Sequence, residues 1–340
     1  MDREKFVQAS VRIRNLEKKL LTKIQFERLY EAENLEEAIK HLNETAYSED
    51  LAKIDRAENF EIALSNSLNR TYSEVLKLSP VKELVDVLTY RFAFHNIKLA
   101  VKEKILQENF EHIYSKVHYE DLPKLKKQFE TEKGEKGTWY EDTVIQAYKV
   151  FEDTKDPEKI EFFVDKRYFE KVLEVSKNLG LDLIEEYFKN MIDFLNIRTF
   201  IRCKRDEQDI SILKAALIQD GYIDTEDISS YFYKDIEDLI NSYKNSKIGK
   251  SLILALKGYN DTGRLLLFEK YMENFLTNLL KEKVQRMPYG PEIIFAYVHA
   301  KEVEIKNLRI CLVGRANGLS ADFIKERLRE IYVKNSYSGR

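Results

Sequence analysis

Glycine and proline are scarce, with 11 and 5 among 340 residues, well below the roughly 12% average usage of the two together. A sandwich, barrel or propeller needs a turn every ~8–12 residues, and turns draw on residues that tolerate positive φ or preset it, so a sheet-rich fold is excluded. Cysteine is nearly absent. Cys203 and Cys311 lie far apart with no C-x-x-C pair, which argues against a disulfide framework or a zinc site and fits a reducing compartment. Long apolar runs are missing too: the longest, Ile293 to Val298, falls far short of the ~20 residues a spanning helix needs. The N-terminal MDREKFVQAS lacks the apolar stretch of a signal peptide. Nor is there an excess of charge. With 56 Lys and Arg against 59 Asp and Glu the net charge is −3, which gives no general attraction to nucleic acid or an anionic membrane. Any membrane association is therefore expected to be peripheral.

What is present is helical periodicity. Val81, Leu84, Val85, Leu88 and Phe92 recur at the spacing of one helix face, and Leu265, Phe268, Met272, Phe275, Leu276 and Leu279 do the same. Ser79-Pro80 and Asp156-Pro157 read as helix starts, and Asn178-Leu179-Gly180 as a helix end. No neighbouring segments alternate apolar and polar residues, so the fold class is all-α.

One pattern repeats within this helical background. The segments Phe94 to Lys102, Phe194 to Arg202 and Glu304 to Leu312 each contain Asn, then Ile or Leu, then Lys or Arg. They place Asn96, Asn196 and Asn307 in register with Lys98, Arg198 and Arg309. Arg14-Asn15-Leu16 is a degraded fourth copy, with Glu17 in the basic place. The repeat predicts three similar helical modules, residues 1–110, 111–215 and 216–334, in an approximate three-fold, funnel-like arrangement with a central opening. Residues 335–340 depart from the pattern and read as a disordered tail. Asparagine disfavours helix interiors, so the repeated copies are expected to be buried and bonded to a neighbouring segment, with a partner contact as the alternative. The three cations form either a solvated face or the lining of a shared opening.

Motifs of chemistry fail on inspection. Gly249-Lys250-Ser251 ends like a phosphate loop, but position 244 is Lys where the first glycine belongs and the preceding segment is helical in character. Gly134-Glu135-Lys136-Gly137-Thr138 reads as a surface loop. His41, His95, His112, His118 and His299 form no metal-ligand spacing. The acid pairs Glu36-Glu37 and Glu185-Glu186 lie on charged helix faces. No catalytic residue, cofactor or metal is expected. The segment Tyr289-Gly290-Pro291-Glu292, followed by Lys301, Glu302, Glu304 and Lys306, reads as a rigid turn opening a capped helix, either a solvated surface or a polar docking face.

The run from Tyr289 through Lys301-Glu302-Val303-Glu304-Ile305-Lys306-Asn307-Leu308-Arg309-Ile310 to Gly314, with Asn317-Gly318-Leu319 and Ile324 to Arg329, resembles the C-terminal signature of a rotary-ATPase subunit. That subunit is called C in archaeal and bacterial V/A-type ATPases and d in eukaryotic vacuolar ATPases. The resemblance implies a non-catalytic piece of the central rotor. It would sit at the cytoplasmic face, held peripherally by the membrane sector, and join the central-stalk subunits to the membrane rotor ring, with the stator membrane subunit as a further contact. It would transmit torque for ATP-coupled H⁺ or Na⁺ transport, the ion and the direction of ATP turnover being left open with a slight lean to Na⁺. Lys98, Arg198 and Arg309 would then line the stalk socket. The alternatives are a free-standing helical-repeat adaptor, or a nucleotide-binding enzyme using Lys250 and Ser251.

Overall fold

Sixteen α-helices and no strand make up the described residues, 1–115, 117 and 139–333, of the computed structural model. The all-α expectation is borne out. His118, the Gly134 to Thr138 segment and the 335–340 tail lie outside the described residues.

In chain order the helices are α1 Val7–Glu17, α2 Lys23–Glu31, α3 Leu35–Asn43, α4 Ser48–Leu51, α5 Phe60–Leu78, α6 Lys82–Leu106, α7 Trp139–Thr154 and α8 Pro157–Leu179. Then follow α9 Asp182–Arg205, α10 Ile210–Ala216, α11 Thr225–Ser230, α12 Ile236–Ser242, α13 Gly249–Thr262, α14 Leu266–Val284, α15 Pro291–Ala316 and α16 Ala321–Arg327. Local chemistry sets many of the ends. Thr22 and Gln25 form a reciprocal capping box at α2. Asp156 accepts the Glu158 N–H at 2.9 Å with Pro157 in the first turn of α8, and Gly180 closes that helix at φ 65°. Ser79-Pro80 acts differently from its sequence reading. Ser79 ends α5 and donates its hydroxyl to the Val81 carbonyl at 2.7 Å, and α6 starts only at Lys82.

Two compact units result: residues 1–85 with 246–340, and residues 86–245. Their boundaries do not follow the module boundaries at 110 and 215. The reason lies in α15, which is buried along most of its length and is covered by α1, α2, α3, α5, α14 and α16, so both ends of the chain are drawn into one core. Phe26, Leu29, Leu42, Tyr47 and Leu64 pack there with Ile305, Leu308, Cys311 and Leu312. Side chains of this kind contribute about 1.5–3 kcal/mol each when fully buried. In the 86–245 unit α8 packs on α7 and α9, while α10 and α11 pack on α9. Its aromatic core centres on the sole tryptophan. Trp139 stacks on Phe94 at 5.3 Å and meets Tyr90 edge-on at 5.0 Å.

Candidate functional site

Asn96 on α6, Asn196 on α9 and Asn307 on α15 are 0–1% exposed, and each makes the same pair of hydrogen bonds. Its Nδ2 donates to the carbonyl, and its Oδ1 accepts from the N–H, of a single residue downstream. That residue is Ser115 for Asn96, at 3.2 and 2.9 Å and 19 positions on. It is Ile218 for Asn196, at 2.7 and 2.9 Å and 22 positions on, and Arg329 for Asn307, at 3.1 and 2.8 Å and again 22 positions on. A carboxamide carries the donor and acceptor of a peptide group, so it closes the hydrogen bonds of a non-helical residue, half-buried at Ser115 and buried at Ile218 and Arg329, that would otherwise lack them. Asn15, in the degraded copy, is exposed on α1.

The 86–245 unit holds a cavity of about 610 Å³ among α6, α8, α9 and α10. Lys98 and Arg198 both line it. The Lys98 ammonium lies 2.6 Å from Glu161 and 2.8 Å from Asp165, and Lys102 reaches Glu161 at 2.6 Å. Burial works against the charge on Lys98, but Asp165 and Glu161 outweigh it and raise the pKa. Burial also opposes ionisation of Glu161, yet Lys102 and Lys98 hold it below the usual range, whereas Asp165 is left raised by burial that Lys98 only partly offsets. Further along the rim Arg202 lies 3.9 Å from both Glu158 and Asp206. Beneath these charges Phe94, Phe169, Leu195 and Ile212 form an apolar floor. Cys203 completes one wall, and its thiol is pushed up by burial, which keeps it protonated and unreactive. The chemistry on offer is recognition by paired charges over an apolar base.

Arg309 is placed elsewhere. It is an exposed residue of α15 in the other unit, forked onto Glu61 of α5 at 2.6 and 2.9 Å.

The segment expected to present a polar surface faces inward instead. Lys301 and Glu304 are only 8% and 4% exposed, 2.8 Å apart. Tyr47 joins them. Its hydroxyl donates to Glu304 and accepts from Lys301, each at 2.8 Å, and Glu304 also accepts the Leu21 N–H. Burial, followed by the charge of Glu304, raises the Tyr47 phenol well above its ordinary value. Glu302 accepts from Tyr72, and Lys306 pairs with Glu273 of α14. Tyr289 is half-buried. The spacing that suggests a solvated or docking face belongs to a helix covered along most of its length, so Lys301 and Glu304 find partners inside. Tyr47, Glu273 and Arg3 carry no local sequence signal, since their partners lie far along the chain.

The turn itself is tightly specified. Gly290 sits at φ 147° and its N–H donates to the Ser10 hydroxyl at 3.1 Å, while Arg3 forks onto Glu292 with both bonds at 2.7 Å. A Cβ at position 290 would lie 2.4 Å from Arg3 Nη2 and 2.7 Å from Glu292 Oε2. Gly290→Ala is expected to cost about 1–3 kcal/mol in urea unfolding through backbone strain, and more if the fork is displaced. Combined with Arg3→Ala it should cost less than the sum of the two.

Gly249-Lys250-Ser251 opens α13 after the helix α12 and a turn, with Lys250 exposed. Among the described residues no group of three His, Cys, Asp or Glu is arranged to hold a metal.

The family model described as the ATP synthase (C/AC39) subunit matches residues 9–327. The chain belongs to this family. The C subunit of the V-type sodium ATPase of Enterococcus hirae is 23% identical over 322 residues, covering 94% of this chain and 97% of that protein. The C subunits of the A-type ATP synthases of Methanocaldococcus jannaschii and Methanobrevibacter smithii are 23% and 26% identical, each covering 96% of this chain, and 87% and 86% of their own lengths are matched. The resemblance read from the sequence is thus borne out. In this C/AC39 chain the matched span includes the three buried asparagines, both Lys98 and Arg198, and the whole of α15.

Proposed function

We propose that this C/AC39 chain is a non-catalytic rotor subunit of a V/A-type rotary ATPase. It would act as a socket and spacer joining the central stalk to the membrane rotor ring, and carry torque for ATP-coupled H⁺ or Na⁺ transport. Family membership and the names of the relatives support the rotary-ATPase setting. The observation that carries the socket reading is the cavity of the 86–245 unit, where Lys98 and Arg198 stand with Glu161 and Asp165 over an apolar floor. Charges of both signs around an apolar centre match a protein segment, because the rim sets register and the centre supplies buried area. No described helix is long and apolar enough to cross a membrane, so the proposed place is peripheral, at the cytoplasmic face, with the ring and the stator membrane subunit as neighbours. The stiffness that torque requires would come from helices packed through buried side chains rather than from loops.

Affinity capture from native membranes tests the setting, since stalk and ring subunits should co-purify. Recovery of the chain without any ATPase subunit would favour the free-standing adaptor and sink the proposal. Arg198→Glu tests the socket. It is expected to weaken binding of purified stalk subunits by at least about tenfold, as reversed charges at a contact do, with the helical circular dichroism unchanged. Arg309→Glu, measured in parallel, tests whether the third cation contributes. Unchanged stalk binding in Arg198→Glu would remove the cavity from the interface.

A further inference from the structure

The socket reading gives Gly249-Lys250-Ser251 no role, yet the chain around it differs from the rest. Between Lys244 and Arg264 stand five lysine or arginine residues and a single acid, Asp261, although the whole protein is slightly negative. The helix of this stretch, α13, packs on α14. Leu252, Ala255, Leu256 and Gly258 are its buried side, and the approach at Gly258 is close. A Cβ there would lie 2.6 Å from Leu267 Cδ1 and 2.9 Å from Leu267 Cβ. Both ends are pinned too. Ile248 is buried ahead of the first turn, and Gly263 closes the last at φ 65° with its N–H on the Tyr259 carbonyl at 2.7 Å. A helix seated this way cannot roll to hide its other side without opening its contact with α14.

That other side is patterned. Lys250, Ile253, Leu254 and Lys257 are exposed, and their i, i+3, i+4, i+7 spacing puts them on one face. Ile253 and Leu254 are 45% and 40% exposed, with one lysine a turn before them and the other a turn after. Asp261 ends the basic stripe one turn later. Elsewhere in the protein lysines find carboxylates, as Lys98, Lys189 and Lys306 do. Among the described residues neither Lys250 nor Lys257 has an ion-pair partner.

We infer that this face of α13 docks an acidic amphipathic helix of another protein chain, whose apolar residues lie on Ile253 and Leu254 and whose carboxylates pair with Lys250 and Lys257.

Charge complementarity sets the sign of the partner, since two ammonium groups without a carboxylate of their own chain are matched by Asp or Glu. Geometry sets its shape. Seven residues of helix rise about 10 Å, so the lysines bracket an apolar step two turns long, over which the side-chain ridges of a second helix can seat in the grooves of the first. A matching partner carries acids about two turns apart with apolar residues between them. A lipid surface fits less well. Helices that lie in a bilayer interface bury a broad apolar face with Trp, Phe and Leu, and α13 offers two aliphatic side chains. The inference rests on the reading of the chain as a subunit of a larger assembly, and not on what fills the cavity of the 86–245 unit.

Photo-crosslinking in native membranes tests it, with p-benzoylphenylalanine in place of Leu254 in the full chain. The cross-linked peptide is expected to come from another protein and to carry Asp or Glu about seven residues apart on either side of apolar positions. Lys250→Glu with Lys257→Glu should cut the yield at least about tenfold, because like charges then face one another, with the helical circular dichroism unchanged. Changing the two acids of the partner to Lys should restore the yield in that reversed chain. A cross-link to lipid, one to a segment without such acids, an equal yield in the double variant, or no cross-link at all overturns the inference. The rotor reading fails separately: if affinity capture brings down no ATPase subunit, the cross-linked peptide still decides what α13 docks.

Discussion

Lys301→Met is expected to lower the unfolding free energy by about 3–5 kcal/mol, the cost of removing one member of a buried ion pair and leaving the other uncompensated. The charge left behind is Glu304, 4% exposed and deep in the core built from both ends of the chain. It retains the Tyr47 hydroxyl and the Leu21 N–H as donors, but neither carries a charge. Removing the charge at the same time should recover part of the loss. Lys301→Met with Glu304→Gln is expected to be more stable than Lys301→Met alone, with a coupling of about 1–3 kcal/mol. Urea denaturation followed at 222 nm measures both. A single-variant cost under about 1 kcal/mol would show that water reaches the pair and that the site behaves as a surface salt bridge.

The second large effect belongs to the asparagines. Asn196→Ala strips hydrogen bonds from both backbone groups of Ile218, and each buried, unpaired group costs about 1–3 kcal/mol, so a total of about 2–6 kcal/mol is expected. Trp139, the sole tryptophan, is half-buried against Phe94 and Tyr90 in the same unit and reports the transition by fluorescence. Asn307→Ala should show a comparable loss by circular dichroism, through Arg329. Asn15→Ala, on the exposed side of α1, should stay within about 0.5 kcal/mol. If Asn196→Ala and Asn15→Ala had equal effects, the two bonds to Ile218 would count for nothing.

The asparagines also mark where sequence reading stops. Their recurrence is visible because the same residue type returns in the same helical phase. Their partners are not, because Ser115, Ile218 and Arg329 share nothing as side chains and act only through backbone groups. The helices are legible from apolar spacing, and Asp156-Pro157 and Gly180 mark true ends, since a cap is a local event. The Pro80 position misleads because Ser79 bonds within the link rather than to a helix start. Lys301 and Glu304 look solvated for a deeper reason. Charges at helical spacing read alike on a surface and in a core, and only the covering helices α1, α2, α3 and α5 decide between them. In the cavity, the pairing of Lys98 with Glu161 and Asp165 joins α6 to α8 across an interval that carries no periodic signal.

The way α15 closes the first unit sets an order of events on the ribosome. Helices α1 to α5 leave the exit tunnel with the apolar faces of Phe26, Leu42 and Leu64 uncovered, and their cover is encoded only from Pro291 onward. At ~5–20 residues per second, adding residues 65–292 takes on the order of 10–45 s. All of the 86–245 unit is made within that interval. The nascent chain is thus expected to complete its middle before its beginning, with the N-terminal helices as the stretch in need of chaperone shelter, and a stop codon anywhere before α15 should leave that stretch the first to aggregate.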